Sequence, residues 1–173
     1  REGCPSVPPE MWLLPGNFMY QMSSWTRAIV TPLSIVHALN PQRPVPAGFN
    51  LREIFAPNVP VTYQRHEKLF SWPNLFLVGD KLLKGWERWG LKTVRQRAIR
   101  RAEQWMLERT RYTDGLGAIY PPMHYMIMAL DLLGYPADHP DRVEAQTQFD
   151  RLMVATDDDF YFQPCFSVVW DAA

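Results

Sequence analysis

Sixteen prolines divide this 173-residue chain, and their placement limits its fold more than any other feature. Proline fixes φ and has no N–H, so it opens or stops helices and is kept out of sheet interiors. Residues 1–19 hold Pro5, Pro8, Pro9 and Pro15 around Met11-Trp12-Leu13-Leu14, which leaves room only for a short helical turn. From Tyr20 to Leu39, apolar residues recur at Trp25, Ala28, Ile29, Leu33, Val36 and Leu39, a helical stripe. Pro32 falls inside that stripe and predicts a kink. Residues 40–72 carry five prolines (Pro41, Pro44, Pro46, Pro57, Pro60) and read as a stiff, wrapped crossover.

A second helix is expected near Pro73, with Leu75, Val78, Leu82, Trp86 and Trp89 on its stripe. A third places Leu91, Val94, Ala98, Ala102, Trp105 and Met106 inward. A fourth starts at Pro121-Pro122 and stops at Gly134, with Pro136 beyond. A fifth opens at Asp138-His139-Pro140 and runs through Val143, Phe149 and Leu152. Phe160-Tyr161-Phe162-Gln163-Pro164-Cys165-Phe166 reads as an aromatic loop. No strand pattern emerges, so the fold class is all-α. Trp105 precedes Pro121 by 16 residues and Phe149 precedes Pro164 by 15, with the two prolines 43 apart. That period fits helix-pair repeats, and hence part of an α/α-barrel (toroid) or an α-solenoid.

Composition narrows the function. Lys plus Arg and Asp plus Glu are 18 each, so the chain has no overall electrostatic footprint for nucleic acid. Arg95, Arg97, Arg100, Arg101, Arg109 and Arg111 crowd the third helix, where they read as a solvated or lipid-headgroup face. Cys4 and Cys165 lie at opposite ends and fit a reducing compartment better than a disulfide framework. His37, His66, His124 and His139 are scattered without ligand spacing, so no metal site is expected. No run of about 18 apolar residues is present to span a bilayer, and no charged-then-apolar leader pattern is visible. The chain opens at Arg1 and stops at Trp170-Asp171-Ala172-Ala173, so residues 1–173 are expected to be a fragment, with no complete domain assured.

Three segments carry a family resemblance. Ser23-Ser24-Trp25-Thr26-Arg27-Ala28, followed by Thr31-Pro32-Leu33-Ser34-Ile35-Val36, resembles the "SSW-x-R" helix of squalene–hopene cyclases. Asp114-Gly115-Leu116-Gly117-Ala118-Ile119-Tyr120-Pro121-Pro122-Met123 resembles their "DGLGAI-x-PPM" loop. Gln163-Pro164-Cys165-Phe166-Ser167-Val168-Val169-Trp170-Asp171 is similar to "QPCFSPVWD". Order and spacing agree across the whole chain. The family's QW repeat is degenerate here: Gln104-Trp105 leads to Asp114-Gly115, but Thr110 stands at the Gln position and the loop Trp is missing.

The resemblance implies a large enzyme of two α/α-barrel domains, of which this chain would be roughly a quarter. Such enzymes are homodimers when complete. They are monotopic, resting on the cytoplasmic side of the bacterial inner membrane. They need no cofactor, fold linear squalene in a cavity, protonate a terminal alkene and carry a cation through ring closures to hopene or hopanol. This chemistry needs diffuse negative charge that cannot act as a nucleophile. Aromatic faces supply it, at about 0.5–2 kcal/mol each.

By that resemblance Trp25 is a cavity-wall residue and Trp170 binds substrate. Ile119, Tyr120 and Pro121 shape the cavity where the reaction terminates, and Met22 and Val30 narrow the entrance channel. Tyr120 stands where the family has Gln or Phe, which puts the terminal water network, and so the product ratio, in question. Asp171 reads first as a helix cap and only second as a catalytic group. The family's acid is Asp-x-Asp-Asp. Asp157-Asp158-Asp159 fails that pattern because Thr156 precedes it, and it reads as a solvated turn. The acid motif is thus expected beyond Ala173, and this polypeptide alone is expected to be inactive. The alternatives are another triterpene cyclase, such as an oxidosqualene cyclase, and a non-catalytic helical repeat scaffold that binds apolar ligands.

Overall fold

The computed structural model describes residues 5–41, 46, 48, 65–156 and 159–166. Its helices are α1 (Ser24–Leu39), α2 (Trp72–Trp89), α3 (Lys92–Thr110), α4 (Tyr120–Leu132) and α5 (Pro140–Asp150). Two short strands follow, β1 (Met153–Ala155) and β2 (Phe160–Phe162), and 3-10 turns occupy Pro9–Leu13, Phe18–Gln21 and Leu116–Ala118. The chain divides into two compact units, Arg1–Ser6 with Asn40–Gly90, and Val7–Leu39 with Leu91–Ala173. Most of the expected crossover at 40–72 lies outside the described residues.

The larger unit holds the core. α1 packs on α3 and α4, α4 on α5, and the turn at Pro9–Leu13 on α3. The buried residues of α3 are Ala98, Ile99, Ala102, Trp105, Met106 and Thr110, the spacing of one helical face. They meet Ile35 from α1 and Met126, Ala129 and Leu130 from α4. Full burial of each Ile, Leu or Met is worth about 1.5–3 kcal/mol. Small residues at 98 and 102 let the backbones approach, and Trp12 fills the end of the seam with its ring 5.2 Å from that of Trp105.

Local chemistry sets the helix ends. Ser23 Oγ accepts from Thr26 N–H at 3.1 Å and opens α1, six residues after the left-handed Asn17 has started the 3-10 turn at Phe18–Gln21. The expected helix from Tyr20 is therefore split in two. α1 continues through Pro32, which is buried on the core face. Pro73, Pro121 and Pro140 each sit in a first turn, where the missing N–H costs nothing. His139 Nδ1 accepts from Asp141 N–H at 3.3 Å to cap α5. Gly134 (φ 86°) closes α4, with Tyr135 N–H donating back to Leu130 O at 3.0 Å.

Two expectations need correction here. The segment after α5 is not a plain loop: β1 and β2 pair antiparallel, Val154 opposite Tyr161. Strands of three residues are too short for alternation to show in the sequence. The turn between them is tied by Thr156, whose N–H donates to Asp159 O at 2.8 Å and whose Oγ1 accepts from Asp159 N–H at 3.0 Å. Asp159 is exposed, while Asp157 and Asp158 lie outside the described residues. Leu91 is also exposed rather than inward, because it precedes the first turn of α3.

In the smaller unit, Asn74 is buried and pins the segment before α2. It accepts from His66 N–H at 2.9 Å and donates to His66 O at 3.0 Å and Lys68 O at 2.9 Å. Asp80 accepts from Ser6 N–H at 2.7 Å and pairs with Lys84 at 2.6 Å. Burial pushes the Asp80 carboxyl upward, but the Lys84 and Ser6 hydrogen bonds and the Lys84 charge outweigh it and hold its pKa low. The stripe of α2 follows the expected period, yet Leu75, Val78, Leu82 and Trp89 are all exposed. Among the described residues no helix is long and apolar enough to cross a membrane.

Candidate functional site

The segment from Asp114 to Met123 is bent by three residues with positive φ: Gly115 (104°), Gly117 (71°) and Ala118 (52°). At Gly115 a Cβ would lie 2.5 Å from Met123 Cε, and its φ belongs to a region that L residues rarely enter. At Gly117 a Cβ would meet Ala28 Cβ at 3.1 Å and Pro122 Cγ at 3.3 Å. The loop thus lies directly on α1, at the Ala28 of the first motif, and a side chain at residue 117 would crowd that contact.

The same loop is hydrogen-bonded to the third motif. Tyr120 N–H donates to Pro164 O and Phe166 N–H donates to Ala118 O, both at 2.9 Å, so Ile119 pairs antiparallel with Cys165. Segments that are more than 40 residues apart in sequence therefore form one continuous patch. Cys165 is half-buried and its thiol is free.

Four rings gather where α4 begins. Tyr120 Oη lies 2.9 Å from His124 Nδ1. The Tyr120 ring stands 5.5 Å from Phe149 and 5.3 Å, edge to face, from Phe162. His124 is 5.8 Å from Phe149, which is 5.3 Å from Phe162. These separations are those of favourable aromatic pairs, each worth about 0.5–1.5 kcal/mol beyond its area. Tyr120 and Phe162 stay more than a third exposed, so part of the cluster faces outward. Such a surface offers π faces and one hydroxyl–imidazole pair. It is suited to bind an apolar or cationic group, and none of its four side chains is a carboxylate. Among the described residues no three of His, Cys, Asp and Glu come together in a way that could hold a metal ion.

The residues singled out from sequence fall into three groups. Ile119 is buried beneath the loop, with Tyr120 and Pro121 at the surface of the same patch. Trp25 is 54% exposed on α1, whereas Met22 and Val30 are partly buried against the core. Trp170 and Asp171 lie outside the described residues.

The sequence reading missed three side chains. Arg27 donates from Nη1 to Met22 O at 2.6 Å, reaches Tyr20 O at 3.4 Å, and lies 4.9 Å over the Tyr20 ring. It closes the turn that leads into α1, which explains an Arg two residues after the motif's Trp. Gln148 is buried on α5 and donates to Thr110 O at 3.2 Å and Thr113 O at 3.1 Å. It ties the end of α3 and the residues after it to α5. His124 follows Tyr120 by one helical turn, and that spacing was the available signal.

The sequence model of the squalene-hopene cyclase N-terminal domain matches residues 1–158. The chain belongs to the squalene-hopene cyclase family. It is 35% identical to a squalene–hopene cyclase of Zymomonas mobilis, over 99% of this chain and 27% of that protein. It is also 35% identical to a squalene–hopene cyclase of Bradyrhizobium diazoefficiens, over 96% of this chain and 26% of that protein. A dammaradiene synthase of Dryopteris crassirhizoma is 32% identical over 99% of this chain and 26% of its own length. The chain thus spans about a quarter of the curated relatives it matches. The helical fold agrees with the all-α reading of this cyclase domain.

Proposed function

We propose that this chain is the part of a squalene–hopene cyclase that supplies aromatic cavity wall and leaves protonation to residues outside it. The observation that carries the proposal is the joining of the three motif segments into one patch. Gly117 rests on Ala28, and Ile119 pairs with Cys165 beside the Tyr120, His124, Phe149 and Phe162 rings. A cation moving through ring closures is stabilised by such faces without being captured, as it would be by a carboxylate. Hopene then forms by loss of a proton from the last cation, and hopanol by capture of water followed by loss of a proton from it. Tyr120, with its hydroxyl held by His124, is the residue of this chain we assign to that ending. Trp25, with more than half its surface free on α1, is assigned to the wall. Met22 and Val30 are assigned to the entrance channel, and Trp170 to substrate contact.

The complete enzyme is proposed to be a homodimer resting on one leaflet at the cytoplasmic side of the inner membrane. The exposed apolar residues of α2 support the membrane part of that reading. Another triterpene product is a second reading, and the 32% identity to a dammaradiene synthase favours it. Both readings are tested by incubating squalene with a longer protein that joins this chain to an Asp-x-Asp-Asp segment. Mass spectrometry of the products should show hopene or hopanol, and the 173-residue chain alone should give neither. Unchanged squalene from the longer protein would refute the cyclase reading, and a tetracyclic product would favour the second.

A further inference from the structure

Apart from the motif patch, the larger unit holds a concave feature of different chemistry. A cavity of about 490 Å³ lies between α3 and the turns at Pro9–Leu13 and Phe18–Gln21. Arg97, Arg100, Arg101 and Trp105 line it from α3, and Trp12 and Tyr20 line it from the two turns. The three arginines stand at i, i+3 and i+4 of one helix, so their guanidinium groups share a face. Among the described residues none of the three has a carboxylate partner, whereas the nearby Arg95 is paired with Glu10 at 3.1 Å. Like charges at this spacing repel one another and weaken the helix. An anion that neutralises them recovers that loss in addition to its own contacts.

The aromatic residues add a second argument. Trp12 and Trp105 are 6% and 8% exposed, and among the described residues the buried indole N–H of each has no acceptor. Unpartnered buried donors are uncommon and costly in folded proteins. Glu108, the one acidic residue lining it, accepts from Gln104 at 2.9 Å, about two turns beyond Arg101.

We propose that this cavity binds a phosphate-bearing anion of two or more charges. The three guanidinium forks would take the phosphate oxygens, and the exposed Tyr20 ring beside them would take an adjoining apolar part. Arginine suits this because its planar fork matches phosphate oxygens two at a time. The phosphate can belong to a free oligophosphate or to the headgroup of an anionic lipid. The inference does not rest on the cyclase reading, since it uses none of the motif residues.

The test uses the 173-residue chain at low salt, titrated with inorganic diphosphate and followed by tryptophan emission. Sedimentation with phosphatidylglycerol vesicles, against phosphatidylcholine vesicles, runs in parallel. Two triple variants are compared. Arg97→Gln/Arg100→Gln/Arg101→Gln removes the forks, and Arg65→Gln/Arg88→Gln/Lys92→Gln removes the same charge elsewhere. Saturable diphosphate binding, weakened about tenfold or more by the first triple and less than about twofold by the second, supports a soluble ligand. Vesicle binding that is specific for phosphatidylglycerol and lost only in the first triple supports a headgroup. Replacing the same three arginines with Lys keeps the charge and should give an intermediate loss. Equal effects of the two triples, or no saturation and no vesicle binding, would overturn the proposal. Circular dichroism shows that a loss is not unfolding, because removing repelling charges should hold or raise helix content.

Discussion

Replacing Gly117 with Ala isolates the contact that brings the second motif onto the first. Two costs add. Gly117 has φ 71°, where an L residue is disfavoured by roughly 1–2 kcal/mol. The new Cβ would stand 3.1 Å from Ala28 Cβ and 3.3 Å from Pro122 Cγ, and neither atom ends a flexible side chain. Crowding of this kind costs about 1 kcal/mol or more. The sum is about 2–3 kcal/mol, which for a chain of this size lowers the melting temperature by about 5–10 °C. Ala28→Gly opens the space but costs about 1 kcal/mol by itself in a helix interior. The double variant should therefore be more stable than the two single losses predict, by about 1 kcal/mol, while the φ cost remains. Urea unfolding of the four proteins gives the cycle. A loss below about 0.5 kcal/mol for Gly117→Ala, or strict additivity with Ala28→Gly, would refute the reasoning.

Two further predictions concern buried polar groups. Gln148→Met keeps the volume but takes the donor from the Thr113 carbonyl, while Thr110 O keeps its bonds from Thr113, so denaturant unfolding should show a loss of about 1–3 kcal/mol. Gln148→Glu should lose more, because it aims a negative charge at two carbonyl oxygens. Tyr135 is pushed up from 10.0 to about 12 by burial, by its 2.6 Å hydrogen bond to Glu103 and by the charges of Glu103 and Asp141. The fold thus favours its protonated form: the stabilisation is complete below pH 10.0 and is lost as pH rises toward about 12. The phenolate absorbance of the wild type minus that of Tyr135→Phe should titrate near 12, and a midpoint near 10 would contradict this.

Much of the fold was legible because proline marks first turns and glycine marks stops. Pro73, Pro121 and Pro140 begin helices where expected, and Gly134 closes α4. The inward face of α3 was readable from Ala98 to Met106, since a packed seam imposes its period on the sequence. The β1–β2 hairpin was not readable. Its residues are largely exposed, and three-residue strands leave no pattern to detect. The stripe of α2 shows that periodicity reports amphipathicity and not a partner, for Leu82 and Trp89 repeat correctly and lie open.

The site was legible through its motifs and not through its chemistry. The names of the segments pointed to Ile119, Tyr120 and Pro121, but only the fold shows Gly117 against Ala28 and Ile119 beside Cys165. Gln148 and Arg27 escaped notice because a polar residue inside a helical pattern usually reads as solvent-facing. Each instead donates to backbone carbonyls beside a helix end, Gln148 to Thr110 and Thr113 and Arg27 to Met22.

The central claim is that Trp25 and Tyr120 are wall and not core, and product analysis in the longer cyclase tests it most directly. Trp25→Ala and Tyr120→Phe are compared with Ile35→Ala, a fully buried position on the same helix as Trp25. The account predicts that the first two shift the ratio of triterpene products from squalene with little change in melting temperature. Ile35→Ala should lower melting temperature, by the equivalent of about 2–5 kcal/mol, with the ratio unchanged. The same loss of stability at all three positions, with an unaltered product ratio, would contradict it.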